Sequence, residues 1–275
     1  MDNTSETPTG LPPAPPTPAQ KSSSSLQGDK RMYPLLSIPY NEHPNRLLAI
    51  PIVAYLVRII LVIPQFFMII FAGLGFLILF IIVPFAILFT GRYPDFAYNF
   101  ILAYQKMYTK LYIYIFGLTD KYPGFSFDES KLFQLEYTKP ATSSRLLAFP
   151  ILGFIIRFVL LIPFFFWVSV LEGGAFVAVV CSWFIVLFTG RYPESLYEFV
   201  RDFLRVTNSN VIYFAYLSDT YPSFRISMNH KPIKIILLII GIIYAIFNFF
   251  SSGSQDLNNA KHPDNFSNQQ PLPGY

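Results

Sequence analysis

Apolar residues come in long uninterrupted blocks and not in alternating or helical stripes. Residues 47–89 contain one charged side chain, residues 146–188 contain two, and residues 235–250 contain none. Runs of about 20 apolar residues can cross a bilayer as helices, and in lipid each backbone polar group must be satisfied inside its own segment. The pattern predicts an all-α integral membrane protein. A soluble helical core is disfavoured because the blocks have no polar face to turn toward water.

Composition supports this class and marks out the two ends of the chain. Of the 275 residues, 53% are hydrophobic and 13% are charged, whereas soluble domains carry about 25% charged residues. Residues 1–31 are rich in Pro, Ser and Thr, and residues 251–275 are rich in Asn, Gln, Ser and Pro. Both tails are expected to be disordered. Residues 231–250 are expected to form one C-terminal transmembrane helix.

The sequence LFTGRYP occurs twice, at 88–94 and at 187–193. Aligning the two occurrences gives an offset of 99 that holds without a gap, and 30 of the 80 positions from 46 to 125 are then identical. Such self-similarity indicates an internal structural repeat. We assign repeat 1 to residues 33–125 and repeat 2 to residues 126–227.

Each repeat has the same predicted order of elements. A strand-like run, 35–40 or 132–138, precedes the apolar block. In the Thr-Gly-Arg-Tyr-Pro sequence, Gly is expected to end one helix and Pro to begin the next. That second helix is expected to have about 22 residues and to end near Gly117, before the tail motif LTDKYPGF (118–125) or LSDTYPSF (217–224).

The length of each apolar block predicts a helical hairpin. Each block is about twice as long as one membrane span, and Gly residues stand near the middle. We therefore expect the chain to enter the membrane, turn near 72–75 or 171–174, and return. Basic residues flank the blocks and avoid these turns, which places both ends of both repeats, the short strands and the N-terminus in the cytoplasm of a plasma membrane protein. The tail after the last span is then outside.

The helix after each Thr-Gly-Arg-Tyr-Pro sequence is predicted to be amphipathic and to lie in the membrane interface. Its role is either anchoring and packing or sensing curvature. The polar positions fall near one face, and aromatic side chains dominate the other face. The polar residues are Asp95, Asn99, Lys106 and Lys110 in repeat 1, and Glu194, Glu198, Arg201, Asp202 and Arg205 in repeat 2.

Two arginines fall inside the apolar blocks at equivalent positions, Arg58 and Arg157. Two interpretations stay open. In the first, the segment lies obliquely and the side chain snorkels to lipid phosphates. In the second, the two arginines line a polar path and bind a small anion. Arg46 and Arg145 are further candidates for contact with an anion or a lipid phosphate.

The repeated turn is interpreted as a joint where the chain leaves the membrane and turns onto its surface. Arg92 and Arg191 are candidate anchors at the phosphate level. They are also candidate partners of Asp120 and Asp219, which would clamp each surface helix at both ends. The complete repeated motif consists of Arg92, Tyr93, Pro94, Asp120, Tyr122, Pro123, Arg191, Tyr192, Pro193, Asp219, Tyr221 and Pro222.

Signals for catalysis are weak. The three histidines do not recur between the repeats, and no nucleophile elbow, zinc-protease, CxxC or phosphate-loop motif is present. We expect no catalytic residue, metal or cofactor, and no binding of nucleic acid. Membrane lipids are the expected partners, together with a second copy or a protein bound through the N-terminal tail.

The two motifs resemble a bacterial and archaeal membrane family known as domain of unknown function 4389. The similarity rests on Ile63-Pro64, 88–94 and 119–125, and on Ile162-Pro163, 187–193 and 218–224. It covers about 33–227, both repeats. This chain departs from the family pattern at Gly124, Ser223 and Ser218. The resemblance implies a membrane location but no activity.

Three classes of function therefore stay open. A non-enzymatic membrane scaffold or membrane-shaping protein is favoured. A channel or transporter for a small anion, using Arg58 and Arg157, is the first alternative, and an enzyme acting on lipids is the second.

Overall fold

The computed structural model describes residues 34–41, 44–50, 53–125, 132–137, 139–140 and 142–261. The predicted N-terminal tail and residues 262–275 lie outside these ranges. The elements, in chain order, are β1 (Leu35–Ser37), a 3-10 turn (Arg46–Ala49), α1 (Val53–Thr90), α2 (Asp95–Ile115), β2 (Gln134–Glu136), α3 (Leu152–Thr189), α4 (Glu194–Phe214) and α5 (Lys231–Lys261). The chain is thus mostly helical, with one small sheet.

The first helix of each repeat is continuous, so the predicted hairpins are wrong. Both α1 and α3 run for 38 residues without a break, and the glycines expected to form turns lie inside them. A Cβ at Gly75 would lie 2.7 Å from the Phe100 ring, and one at Gly174 would lie 2.8 Å from the Phe199 ring. These glycines therefore provide space for a neighbouring aromatic side chain, and the helix continues through them.

Within each repeat the second helix returns antiparallel along the first. In repeat 1, Arg58 lies beside Tyr114, Gly73 beside Tyr104 and Gly75 beside Phe100. Residue numbers increase along α1 while the numbers of the contacting residues in α2 decrease, so the two helices are antiparallel. The observed helices α2 and α4 have 21 residues each, which confirms the predicted length closely.

Several contacts from repeat 1 to repeat 2 have an equivalent contact from repeat 2 to repeat 1. The two strands form an antiparallel ribbon in which Leu36 faces Leu135, residues that are equivalent in the repeat alignment. On either side of this pair, the Tyr197 hydroxyl donates to the Ile38 carbonyl at 2.6 Å. The equivalent Tyr98 hydroxyl donates to the Tyr137 carbonyl at 3.3 Å. The repeats are therefore arranged with an internal pseudo-twofold axis through the ribbon.

Arginine contacts between the repeats follow the same symmetry. The Arg46 guanidinium of repeat 1 lies against Gly190 at the end of α3, and Arg145 of repeat 2 lies against Gly91 at the end of α1. Cations are favourable at a helix C-terminus because carbonyl groups there lack helical partners. Some bonds are not exchanged. Ser143 donates its N–H to the Gly91 carbonyl, whereas the equivalent residue Pro44 has no N–H.

The last helix, α5, covers repeat 2. A Cβ at Gly241 would lie 1.9 Å from the Val170 carbonyl oxygen, and one at Gly173 would lie 2.6 Å from Tyr244. A Cβ at Gly174 would lie 2.8 Å from the Leu237 carbonyl oxygen. The glycines of α3 and α5 therefore mark a close crossing of the two helices. Helix α5 continues to Lys261, beyond the predicted end at residue 250, because no proline interrupts the helix before Pro263 and a single Gly costs only about 1 kcal/mol.

In the described part of the chain, three helices are long and apolar enough to span a membrane: the parts of α1, α3 and α5 at 55–90, 152–189 and 231–251. In the most apolar stretch of α1, only 11% of the residues are buried inside the protein. The predicted polar face of the second helices is partly wrong, because Lys110, Asp202 and Arg205 are buried. In α4 the reason is that residues 225–229 cover this face. Their backbone donates to Asp202 and accepts from Arg205.

Candidate functional site: two buried arginine–aspartate locks

The arginine inside each apolar block is held by the end of its own repeat. Arg58 has only 3% of its surface exposed. One of its terminal nitrogens donates to the Tyr114 carbonyl at 2.5 Å and the Thr119 carbonyl at 3.0 Å. The other terminal nitrogen donates to Asp120 at 2.9 Å. The guanidinium carbon also lies 5.0 Å from the centre of the Tyr114 ring, within cation–π range.

The aspartate connects this arginine to the segment before α1. One oxygen of Asp120 accepts from Arg58, while the other accepts from the Asn41 side chain at 3.0 Å and the Asn45 backbone N–H at 2.8 Å. A single carboxylate therefore joins the start, the first helix and the end of repeat 1. We call this arrangement of Arg58 and Asp120 the first lock.

Repeat 2 contains the equivalent second lock, formed by Arg157 and Asp219. The side chain of Arg157 donates to the Tyr213 carbonyl at 2.6 Å, to the Ser218 carbonyl at 2.8 Å and to Asp219. The other oxygen of Asp219 accepts from the Ser144 N–H at 2.6 Å. Ser144 is equivalent to Asn45, so the arginine contacts and this backbone contact are reproduced at the offset of 99. The Asn41 contact is not, because the equivalent residue is Pro140.

The arginine of the second lock has more contacts than the arginine of the first. Arg157 Nε donates to the Leu147 carbonyl at 3.2 Å, whereas Arg58 Nε is buried and finds no acceptor among the described residues. Arg157 also lies 4.7 Å from two ring centres, those of Tyr213 and Tyr216. Tyr216 has a positive φ of 63°, where its repeat 1 equivalent is Gly117. The strained backbone there accompanies a second aromatic contact with the guanidinium.

These locks correct the predicted pairing of the motif. Asp120 and Asp219 bind Arg58 and Arg157, so the clamp predicted from Arg92 and Arg191 is wrong. The physical reason is the antiparallel return of the second helix, which brings the tail motif back to the start of the first helix. Arg92 and Arg191 lie at the other end and are exposed.

The Thr-Gly-Arg-Tyr-Pro sequence forms the expected joint between helices. Gly91 and Gly190 adopt left-handed φ values of 70°, which glycine tolerates without strain. Thr90 and Thr189 then accept hydrogen bonds from the backbone of the two arginines at 3.2 Å. Pro94 and Pro193 occupy the positions immediately before α2 and α4.

The motif tyrosines support contacts between elements. The hydroxyl of buried Tyr93 donates to the Ala215 carbonyl of the other repeat at 3.1 Å, while the Tyr192 carbonyl accepts from the Tyr40 hydroxyl. Burial raises the pKa of the Tyr192 phenol to about 12, so it stays protonated at neutral pH. The Tyr221 hydroxyl donates to the Leu160 carbonyl at 3.0 Å. Tyr122 packs edge-on against Tyr114, and the two tail prolines, Pro123 and Pro222, are buried.

Sequence reasoning missed two sets of buried polar groups. The first is the pair Tyr98 and Tyr197, which bind the ribbon and recur at the offset of 99, so the repeat alignment contained that signal. The second set joins α2 to α4: the Asn208 side-chain oxygen accepts from Gln105 at 2.7 Å and from Thr109 at 2.8 Å. These residue types differ between the repeats, and no pattern pointed to them.

The chemistry available at the locks is limited to binding and positioning. Each carboxylate already accepts bonds on both oxygens, and no histidine, cysteine or serine of the described part contacts either one through its side chain. Among the described residues no group of three potential metal ligands occurs.

Comparison with known proteins gives one match. The family model described as "Domain of unknown function (DUF4389)" matches residues 53–126 and again 152–225, together more than half of the chain. No curated protein and no solved structure matches. Each match begins in the first helix of a repeat and ends just after the tail motif, so each contains one complete arginine–aspartate pair.

Proposed function

We propose that this chain, which belongs to the DUF4389 family as two tandem copies, is a non-enzymatic integral membrane protein that shapes or scaffolds the bilayer. The N-terminus and the short ribbon are assigned to the cytoplasmic side and α5 to a final crossing of the plasma membrane. Lipids are its main partners.

The observation that carries this proposal is the length of α1 and α3 combined with their apolar exposure. A helix of 38 residues is about 57 Å long, whereas the hydrocarbon core is about 30 Å thick. Exposed apolar side chains continue from Val53 to Phe89. To keep this surface in lipid, a straight helix would have to tilt by about 60°, well beyond the usual range of about 0–40°.

Two such helices would occupy a large area in the plane of the membrane. A protein that displaces lipid over a large area, with the shorter helices packed along the long ones, changes the local thickness or curvature of the bilayer. Pro64 and Pro84 inside α1 and Pro163 inside α3 allow bending, which reduces the tilt needed. The deformation is then distributed between the helix and the lipid.

The two locks support a structural role for the recurring motif residues. Arg58 and Arg157 each contact the end of their own repeat and are buried. An anion path would need their terminal nitrogens to face a polar channel, and these nitrogens already donate to carbonyl and carboxylate oxygens. The anion channel therefore has less support than the scaffold. The lipid enzyme has less still, because Asp120 and Asp219 are engaged on both oxygens.

Reconstitution tests this proposal directly. The full chain would be incorporated into liposomes at increasing protein-to-lipid ratios, and vesicle diameter and bilayer thickness would be measured by cryo-electron microscopy. We expect vesicles to become smaller, or the membrane thinner, in proportion to the protein incorporated. Unchanged vesicles at every ratio would contradict a shaping role. Chloride or phosphate flux through the same liposomes would instead favour the channel.

A further inference from the structure

A cleft between α3 and the start of α5 has the composition of a site for an anionic amphiphile. Its volume is about 410 Å³, within the size range of small-molecule sites. One part of its wall is apolar and the other is basic. The lining residues are Trp167, Phe224, Arg225, Ile226, Lys234 and Leu238.

Two cationic side chains meet at this cleft. Lys234 on α5 donates to the Ile226 carbonyl at 3.1 Å, which holds its ammonium group at the wall. Arg225 belongs to a segment, 225–229, that crosses α4 and that we call the strap. An ammonium group carries three donors, so the bond to Ile226 leaves Lys234 able to bind a ligand oxygen as well.

The carboxylates of the neighbourhood are directed to the strap backbone. Asp202 accepts from the Ser227 N–H at 2.5 Å and from the Met228 N–H at 3.2 Å. It is also flanked by Arg201 and Arg205 at 3.5 and 3.7 Å. Glu198 likewise accepts from the Asn229 N–H at 3.3 Å. Four basic side chains, Arg201, Arg205, Arg225 and Lys234, thus lie in the same region as two carboxylates. The region carries an excess of positive charge, which is complementary to an anionic ligand.

The apolar wall carries one polar atom that points to the same class of ligand. The indole nitrogen of Trp167 is buried, and its N–H has no acceptor among the described residues. A buried donor without an acceptor is costly, and tryptophan is enriched where lipid headgroups meet acyl chains. A phosphate or glycerol oxygen in the cleft would provide the acceptor, while Phe224 and Leu238 would contact the upper part of a chain.

We propose that this cleft binds the headgroup of an anionic phospholipid, with its phosphate between Arg225 and Lys234 and one acyl chain along Trp167 and Leu238. Basic clefts between membrane helices are suited to such headgroups. Within the described ranges the site occurs in repeat 2 alone, because no described helix packs on α1 as α5 packs on α3. This inference rests on the membrane placement proposed above, and its test distinguishes failure of the site from failure of that placement.

The chain has two tryptophans, so the variant Trp183→Phe leaves Trp167 as the sole reporter. The full chain would be reconstituted in zwitterionic phosphatidylcholine containing a trace of brominated phosphatidylglycerol. A second sample would contain the same trace of brominated phosphatidylcholine. We expect the quenching of Trp167 to show that the anionic lipid is enriched at the cleft by at least about fivefold over the bulk bilayer. One basic residue contributes about this factor to the binding of an anionic lipid.

The variant Arg225→Gln/Lys234→Gln should lose this enrichment. The matched control Lys121→Gln/Lys231→Gln removes the same charge at two exposed positions outside the cleft lining and should retain it. The conservative exchange Arg225→Lys/Lys234→Arg should also retain most of it. Quenching by a membrane rich in brominated phosphatidylcholine, unchanged in all variants, verifies that each is inserted and folded.

Equal quenching by the two trace lipids in the parent would overturn the site while leaving the membrane placement intact. Equal loss in the matched control would also overturn it, because the effect would then be general surface charge. Displacement of the brominated lipid by soluble glycerol phosphate would identify a soluble organophosphate as the ligand, which contradicts a lipid site. Absence of quenching by any brominated lipid would overturn the membrane placement itself.

Discussion

The buried Arg157 in α3 and the half-buried Asp219 beyond α4 form an ion pair across a sequence separation of 62 residues. The same separation of 62 joins Arg58 to Asp120 in repeat 1. The spacing is fixed because the chain must run out along α3 and return along α4 before the tail motif can reach the arginine. The ion pair therefore reports that the first and last parts of a repeat are correctly packed.

Breaking one lock should strongly destabilise the protein. In Asp219→Asn, Arg157 keeps its carbonyl partners but loses its counter-charge, and an unpaired buried charge costs about 3–5 kcal/mol. We expect a large fall in the melting temperature in detergent, measured by light scattering or fluorescence. The matched control Glu194→Gln removes an exposed carboxylate and should have little effect. A normal melting temperature for Asp219→Asn would show that the pair does not hold the repeat together.

The two locks should differ in strength. Arg58 has a buried Nε without a described acceptor and one aromatic contact, whereas Arg157 has an Nε acceptor and two aromatic contacts. A buried donor without a partner costs about 1–3 kcal/mol, and its removal recovers that cost. Arg58→Leu should therefore destabilise the protein less than Arg157→Leu by about 1–3 kcal/mol. Denaturation of both variants in the same detergent tests this, and the reverse order would contradict it.

The sequence alone predicted the helical class, the repeat and the limits of α2 and α4, because these depend on local pattern. It could not predict the partner of Asp120. Both Arg58 and Arg92 recur at the offset of 99, and only the antiparallel packing of α2 on α1 determines which one is within reach. The glycines at 73–75 were equally ambiguous. A glycine in an apolar block can form a turn or admit a neighbouring ring, and the neighbour is not visible in the local sequence.

The packing of α5 on α3 should depend on Gly241. An added Cβ would lie 1.9 Å from the Val170 carbonyl oxygen, and a backbone atom cannot move aside as a flexible side chain does. Gly241→Ala should displace α5 and increase proteolysis of the 215–231 connection, in contrast to the stabilisation that Gly→Ala usually gives in a helix.

Gly73→Ala is the matched control for this exchange. Its added Cβ would meet the Tyr104 hydroxyl at an ordinary distance of 3.6 Å, so the protein should keep or slightly increase its stability. Limited proteolysis and melting of both variants would be compared in the same detergent. Equal behaviour of the two variants would show that α5 does not approach α3 closely.

The pseudo-twofold arrangement predicts one specific disulfide. Ser37 faces Gln134 across the ribbon, and opposite residues of an antiparallel pair have Cβ atoms about 4.5–5.5 Å apart, close to disulfide geometry. In a Cys181→Ser background, Ser37→Cys/Gln134→Cys should form an intramolecular disulfide under mild oxidation, detected as a mobility shift that reductant reverses.

Ser37→Cys/Glu136→Cys places the second thiol two residues along the same face, where the separation is too large, and should react far less. If both pairs reacted equally, the strands would not be held in this register. If neither reacted while the protein kept its melting temperature, the two repeats would not be joined through the ribbon.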